Sequence, residues 1–398
     1  MEGKKKERNV FEKVYDFDNL YRAWLEVRRV SAWKEQTQRY EEDILSNIFR
    51  LGESLKVGTA RLGDFRTFVI RERGKLRLIH SYDIDTRIAV RSFIDNVLLP
   101  RVLPKLIYDN SASIKGKGVD FHRRRLIAHL QRFYRKHGNG GYVLTMDFSK
   151  FFDNIDHAQL KAMFAKVLGD DECSAFASML VDKAATDVSC LSEDERLYLE
   201  DHPFDSVSFH SKMDASKCDG SVLLHRGVPI GGQLSQIAGV FYPSDIDSYV
   251  KTVKGERHYA RYMDDIYVIH QSKEHLRALL DEIRAMCKAK GIFINERKTQ
   301  ITPIWRPFTI LKVQYRVTAD GDIVRSPCKD TFKRERRAIH RFAKDIDAGR
   351  RSKADVCGSY RSWRGNVSRF DCLKSVRSVD GYFERHIGER PWETKATD

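Results

Sequence analysis

The stretch ARYMDDIYVIH, residues 260–270, sets two adjacent carboxylates, Asp264 and Asp265, between two runs that read as β-strands. The exit run, Ile266–Ile269, is β-branched and aromatic, as strands prefer. Aspartate is common in turns because its short side chain bonds nearby backbone, so a solvated turn explains the pair taken alone. A second segment changes the weighing. GYVLTMDF, 141–148, is a short, almost wholly apolar strand that ends in Asp147.

If these strands are neighbours in one sheet, three carboxylates meet at one edge. Like charges that close raise one another's pKa. Divalent cations would stabilise the arrangement. Mg2+ takes one or two carboxylates and keeps positions for water and phosphate oxygens. Two such ions about 3.5–4 Å apart suit an in-line displacement that activates a 3′-hydroxyl and steadies a leaving pyrophosphate. No His/Cys set with zinc spacing competes with this hard-cation chemistry.

With 398 residues the chain is long enough for two or three packed units. Its hydrophobic content of 41% is that of a globular protein, and no apolar run reaches the length of a membrane span. The opening MEGKKKERNVFEK lacks the apolar core of a secretory signal. Seven scattered cysteines, none in a Cys-x-x-Cys pair, suit a reducing cytoplasm. A net charge of +15 suggests a polyanionic partner. The excess is concentrated in FHRRRLIAHLQRFYRKHG, 121–138, which holds Arg123, Arg124 and Arg125, and in the segments 333–342 and 349–370. The last two contain Lys333, Arg336, Arg337, Arg341, Arg361, Trp363 and Arg364. Cations there interleave with aromatics, which suits nucleic acid better than a membrane surface.

Apolar spacing predicts helices over 10–55, a hairpin over 61–80, and a helical stretch over 84–107 interrupted at Pro100 and Pro104. A basic helix over 119–137, the strand ending at Asp147 and a helix from Asp156 to Leu168 follow. Residues 183–225 read as a polar, irregular insertion or mobile loop. A helix launched from PIGG, with a kink or end at Pro243, leads to the 258–270 hairpin and an amphipathic helix over 273–290. GIFINERKTQITPI reads as strand-like, a hairpin turns at ADGD, and the remainder is helical and basic. The order is α+β with antiparallel pairing in the middle.

YMDD, with LTMDFSKFFDNIDH upstream, resembles a reverse transcriptase. GKLRLIHSYDIDTRIAV, NSASIKGKGVDF, RGVPIGGQLSQIAGVFYPSDID, GIFINERKTQI and SYRSWRGNVSRF resemble further blocks of that family, in the expected order, over roughly residues 60–375. The resemblance implies an α+β right hand. Its parts are an N-terminal helical extension (1–60), fingers (61–140), a palm with an antiparallel sheet (141–310, carrying the 183–225 insertion) and a helical basic thumb and tail (311–398). It implies that Asp147, Asp264 and Asp265 bind two Mg2+, or Mn2+ in their place, with the Phe148 carbonyl assisting. Phe152 matches the steric gate that favours dNTPs. Lys75 and Arg77 match cations that meet the triphosphate, and Lys298 a general acid for pyrophosphate. Ile230, Gly231, Gly232 and Gln233 fall in the nucleotide-binding turn, where glycine lets backbone approach a ligand closely.

Many family members carry PQG at this turn; here Ile230 stands in place of the glutamine. An isoleucine packs but forms no hydrogen bond, so discrimination between nucleotides falls. IGGQLSQ resembles diversity-generating-retroelement enzymes, whereas the long span from Asp147 to Gly227 resembles defence-associated bacterial enzymes with lineage-specific insertions. The expected partners are a structured noncoding RNA that supplies template and primer, dNTPs and an RNA–DNA duplex product, with no membrane. A homo-oligomer or an accessory protein is the remaining partner class. The expected role is antiphage defence, with low-fidelity diversification as the alternative. A non-catalytic RNA-binding scaffold is the alternative of another class.

Overall fold

The computed structural model describes residues 9–393 apart from 73, 170 and 214. Most of the charged opening, residues 1–8, lies outside them.

The first elements are α1 (Glu12–Tyr15), α2 (Phe17–Ser31), α3 (Glu35–Glu42) and α4 (Ile44–Lys56); apolar residues every three or four positions give α2 and α4, which bury Leu20, Trp24, Ile48 and Leu51, whereas α3 is polar. The Asp16 side chain accepts from the Asn19 amide and caps α2. Strands β1 (Phe65–Glu72) and β2 (Lys75–Tyr82) pair antiparallel from Phe65↔Tyr82 to Glu72↔Lys75. In α5 (Ile84–Phe93), a π-helical turn (Ile94–Leu98), α6 (Leu99–Val102) and a 3-10 turn (Leu103–Lys105) the chain stays helical through both prolines. Each proline sits in the first turn of a short segment, where its missing N–H is not needed, so the expected interruptions are changes of helix type.

Then come α7 (Val119–His137), β3 (Tyr142–Met146), α8 (His157–Leu168) and α9 (Asp171–Asp182). Asp156 caps α8, and Gly169 ends it in the left-handed region at φ 59°. The 183–225 stretch is not the irregular loop that its polarity suggests. It holds β4 (Thr186–Asp187), α10 (Glu193–Asp201), α11 (Ser206–Lys212) and β5 (Leu223–Leu224), with β4 pairing β5. Local side-chain bonds build it: a Ser192–Glu195 capping box starts α10, and Asp205 caps α11. Pro243 divides the next helical stretch into α12 (Gln233–Phe241) and α13 (Ser244–Ser248).

Strands β6 (Tyr259–Tyr262) and β7 (Asp265–His270) precede α14 (Lys273–Ala289). Of the 291–304 segment only β8 (Gln300–Pro303) is strand; Ile294 contributes a single antiparallel bridge to Phe148. Next are β9 (Phe308–Ile310), β10 (Val313–Val317) and β11 (Ile323–Pro327), then α15 (Lys329–Asp347), α16 (Lys353–Val367) and α17 (Leu373–Ile387). The central sheet has the order β6-β7-β3-β8, with β3 and β8 antiparallel, and a second sheet the order β11-β10-β9.

The chain divides into two compact units. The first comprises residues 1–122, 146–266 and 278–297. The second comprises 123–145, 267–277 and 298–398. In the second, helices α15–α17 close on a core of Phe332, Ile339, Tyr360, Val376, Val379 and Phe383.

Candidate active site

Asp147 directly follows β3 and is buried. Asn295 holds it twice: its amide donates to the Asp147 carbonyl (2.8 Å) and its Nδ2 to the carboxylate (3.2 Å). The Ser149 amide donates to the Phe293 carbonyl (2.7 Å). These bonds flank the Phe148↔Ile294 bridge and leave the Phe148 carbonyl out of it.

Asp264 and Asp265 are half-buried at the β6–β7 connection. Met263, the first connecting residue, takes φ 54°, in the left-handed region where glycine is usual. A bulky residue persists there when its surroundings hold it. The holder is Arg261, fully buried in β6. Its Nη1 donates to the Met263 carbonyl (3.1 Å) and the Gly239 carbonyl (3.2 Å), and its Nη2 to the Val240 carbonyl (2.7 Å). Its charge is met by the buried Asp247 carboxylate at 2.6 Å, which also accepts from the Tyr259 hydroxyl (2.5 Å) and the Asn110 amide (3.4 Å). Burial alone would lower the Arg261 pKa; the Asp247 charge offsets this and holds it above its ordinary value. Burial, then the Asp247 charge, pushes the Tyr259 phenol well up.

A Cβ added at Gly239 would lie 2.9 Å from the Phe152 ring and 3.2 Å from the Met263 sulfur. Helix α12, the loop after Asp147 and the turn before Asp264 therefore meet at one point, and glycine is what lets them approach.

The Ile230–Gln233 turn packs on β2. The His80 amide donates to the Ile230 carbonyl (3.1 Å), so Ile230 contributes backbone as well as its side chain. Gly231 has φ 119°, and a Cβ there would stand 3.1 Å from the His80 carbonyl oxygen; one at Gly232 would meet the Tyr82 ring at 3.1 Å. Burial, with a smaller contribution from His210, pushes the His80 imidazole down to about 4. Gly231, Gly232, Gln233, Ile79, His80 and Tyr82 help line a cavity of about 400 Å³. Lys75 is exposed at the start of β2, and Arg77 pairs with Glu72 at 2.8 Å.

The 183–225 segment is clamped to the loop that carries Phe152. Asp153 accepts from the Ser206 hydroxyl (2.9 Å), and Asn154 exchanges bonds with the Phe204 backbone (2.8 and 3.0 Å). Lys150 pairs with Asp205 (2.6 Å), and Arg226 donates to the Leu199 carbonyl (2.6 Å). Burial raises the Asp153 pKa, partly offset by the Ser206 bonds.

Lys298 belongs to the second unit, in the turn before β8. There Lys333, Arg337 and Arg341 are exposed at four-residue spacing and so share one face of α15. Arg336 donates to the Ser378 hydroxyl (2.9 Å), Arg361 to the Pro391 carbonyl (2.9 Å) and Arg364 to the buried Asp380 carboxylate (2.9 Å). Trp363 packs against the three-helix core. Arg123 lies over the Phe370 ring at 5.3 Å, Arg124 is exposed, and Arg125 donates to His129 (3.2 Å).

Sequence reasoning missed Arg261, Asp247, Gly239, Asn295 and Asp153. Arg261 carries a usable signal: a lone cation inside the otherwise apolar strand leading to the acidic pair, in a chain that offers an acid at Asp247.

The family model for reverse transcriptase (RNA-dependent DNA polymerase) matches residues 70–319, more than half of the chain. The protein belongs to that family of RNA-dependent DNA polymerases, which are nucleotidyltransferases. No curated protein matches in sequence. Similar solved structures include apo telomerase from Candida tropicalis truncated from its C-terminal domain. It shows 15% identity and a TM-score of 0.41 over 66% of this chain and 54% of that chain. Another is telomerase from Candida albicans with a TWJ fragment of telomeric RNA, at 12% identity and a TM-score of 0.43 over 82% and 58%. The chain thus spans little more than half of those chains. No helix among the described residues is long and apolar enough to cross a membrane.

Proposed function

We propose that this chain is an RNA-directed DNA polymerase that extends a 3′-hydroxyl with dNTPs, with Asp147, Asp264 and Asp265 as metal ligands. The observation that carries the reading is the meeting at Gly239 of the Phe152 ring and the Met263 sulfur, which ties the loop after Asp147 to the turn before Asp264. The donors are carboxylates and the Phe148 carbonyl, a hard-oxygen set that fits Mg2+ or Mn2+. Such ions, when bound, supply activation of the attacking hydroxyl and neutralisation of the leaving group. The chain's own part is positional. Asn295 orients Asp147, Arg261 fixes the turn that presents Asp264 and Asp265, and Phe152 on Gly239 narrows the space beside a nucleotide 2′-carbon. Lys75 and Arg77 would meet triphosphate, and Lys298 would protonate pyrophosphate.

The exposed Lys333, Arg337 and Arg341 face supports binding of a template–primer duplex by charge. We further propose a cytoplasmic role in bacterial antiphage defence, copying a dedicated noncoding RNA. The helices α10 and α11, with the 183–225 bonds to the Phe152 loop, support a lineage-specific elaboration over the diversification alternative. Primer extension on an RNA template with Mg2+ tests the activity. The unaltered chain should extend and an Asp264→Ala/Asp265→Ala variant should not, with RNA binding equal in both. Binding without extension by either would leave the scaffold reading. Sequencing the RNA that co-purifies tests the template: one recurrent structured species supports the dedicated-RNA role, and a random transcript mixture contradicts it.

A further inference from the structure

A second cluster in the first unit has no part in the reading above. His157 is the first residue of α8, Asp182 the last of α9, and His225 directly follows β5. Their ligand atoms all lie within 4.8 Å of one another. The spacing 157…182…225 has no sequence signature; the fold assembles the group.

The state of His157 is the independent observation. Its side chain is 1% exposed. Nε2 stands 2.6 Å from the Gly227 carbonyl oxygen, which only accepts, so Nε2 carries the proton. Nδ1 therefore keeps its lone pair, and it is buried with no hydrogen-bond partner. Leaving a buried acceptor unmet costs about 1–3 kcal/mol. A histidine with one nitrogen committed to a backbone carbonyl and the other presenting a lone pair has the arrangement of a metal ligand.

The other two groups suit the role. The His157 amide donates to the His225 carbonyl (3.1 Å), which fixes the two residues side by side, with ring centroids 6.0 Å apart. Asp182 and His225 are exposed, so both side chains have room to close the small distance to a ligand–ligand separation of about 3.3 Å, the value for a tetrahedral ion with bonds near 2.0–2.1 Å. Lys161 bonds Asp182 Oδ1 at 2.6 Å and is the cation that a metal would compete with.

We propose that His157, Asp182 and His225 form a binding site for a divalent transition metal of the Zn2+ class, with water completing the shell. Two imidazoles favour Zn2+ or Co2+ over Mg2+. The ion would tie the first turn of α8 and the last of α9 to the strand end two residues before Gly227. The site is therefore a structural brace at the entry to the Ile230–Gln233 turn, separate from the aspartate trio.

The test uses the full chain, tag-free and stripped with a chelator, titrated with Co2+ and then Zn2+. One equivalent of Co2+ should bind with the ligand-field bands of a four- or five-coordinate ion, survive excess Mg2+, and be displaced by Zn2+. His225→Ala and Asp182→Asn change exposed side chains, so apo melting temperatures should match the parent. Each should weaken uptake by more than the roughly 10–100-fold typical of losing an outer-shell partner. Lys161→Met should tighten it. No stoichiometric uptake by the unaltered chain overturns the proposal. So does uptake that survives in both variants, or uptake lost instead on Asp264→Asn, which would place the ion at the aspartates.

Discussion

Around the turn before Asp264 the scaffold is polar and buried. Arg261, Asp247, Tyr259 and Asn110 are all fully buried, and through Arg261 and Asn110 the group holds backbone carbonyls in place. Helices α15–α17 are built the other way. Their centre is apolar and aromatic, a polar knot joins Asp380 to Tyr360 and Arg364, and Lys333, Arg337 and Arg341 are exposed. Under the proposed function the contrast has a reason. A turn that presents two carboxylates with a bulky residue at positive φ needs directional bonds to fix it. A surface proposed to meet a polyanion needs a stable body with exposed cations on it.

Removing one charge from each scaffold separates the two regions most strongly. Arg261→Met strands Asp247 without its cation, and stability should fall by about 3–5 kcal/mol in urea unfolding. Arg364→Met removes a part-exposed partner of Asp380 and should cost about 1–3 kcal/mol. Equal losses would mean that the turn is not held by its buried ion pair. Next in size is the contact at Gly239. Phe152→Val should raise rNTP incorporation relative to dNTP by about 10-fold or more, a pocket-size effect. Gly239→Ala should instead cost about 1–3 kcal/mol through overpacking against the Phe152 ring. An unchanged sugar preference in the Phe152 variant would remove the gate from the account.

On the cation face, Lys333→Gln/Arg337→Gln/Arg341→Gln should leave stability within about 0.5 kcal/mol. It should flatten the dependence of log RNA affinity on log salt by about 2–3, the share of three phosphate contacts. An unaltered slope would show that this face does not carry the duplex. A pH-dependent effect concerns Glu335, whose carboxyl burial pushes up to about 7 from 4.5. The fold favours its protonated form. That contribution to stability is full below about 4.5 and is lost as pH rises through 7. Glu335→Gln should therefore raise the melting temperature more at pH 8 than at pH 5, and a pH-independent difference would contradict the assignment.

The strands that end at Asp147 and begin at Asp265 were legible because apolar runs bounded by acids have few other readings. The glycines of the Ile230–Gln233 turn were legible for their backbone freedom. Arg261 and Asp247 were not, since a lone cation in a strand says nothing of which distant acid meets it. The 183–225 segment misled because polarity predicts exposure, whereas its order comes from capping and from Asp153 and Asn154, which the sequence does not link to it. The His157 cluster was invisible for the same reason: its members come from three elements brought together only by tertiary packing.

The central claim is that Asp147 shares a metal centre with Asp264 and Asp265. Fe2+ in place of Mg2+, with ascorbate and peroxide, cuts backbone beside a bound ion. In the His225→Ala background, which disables the imidazole cluster, the account predicts paired cuts near 147 and near 264–265, both lost in Asp147→Asn. Cutting at one location alone, or at the second undiminished by Asp147→Asn, would contradict it.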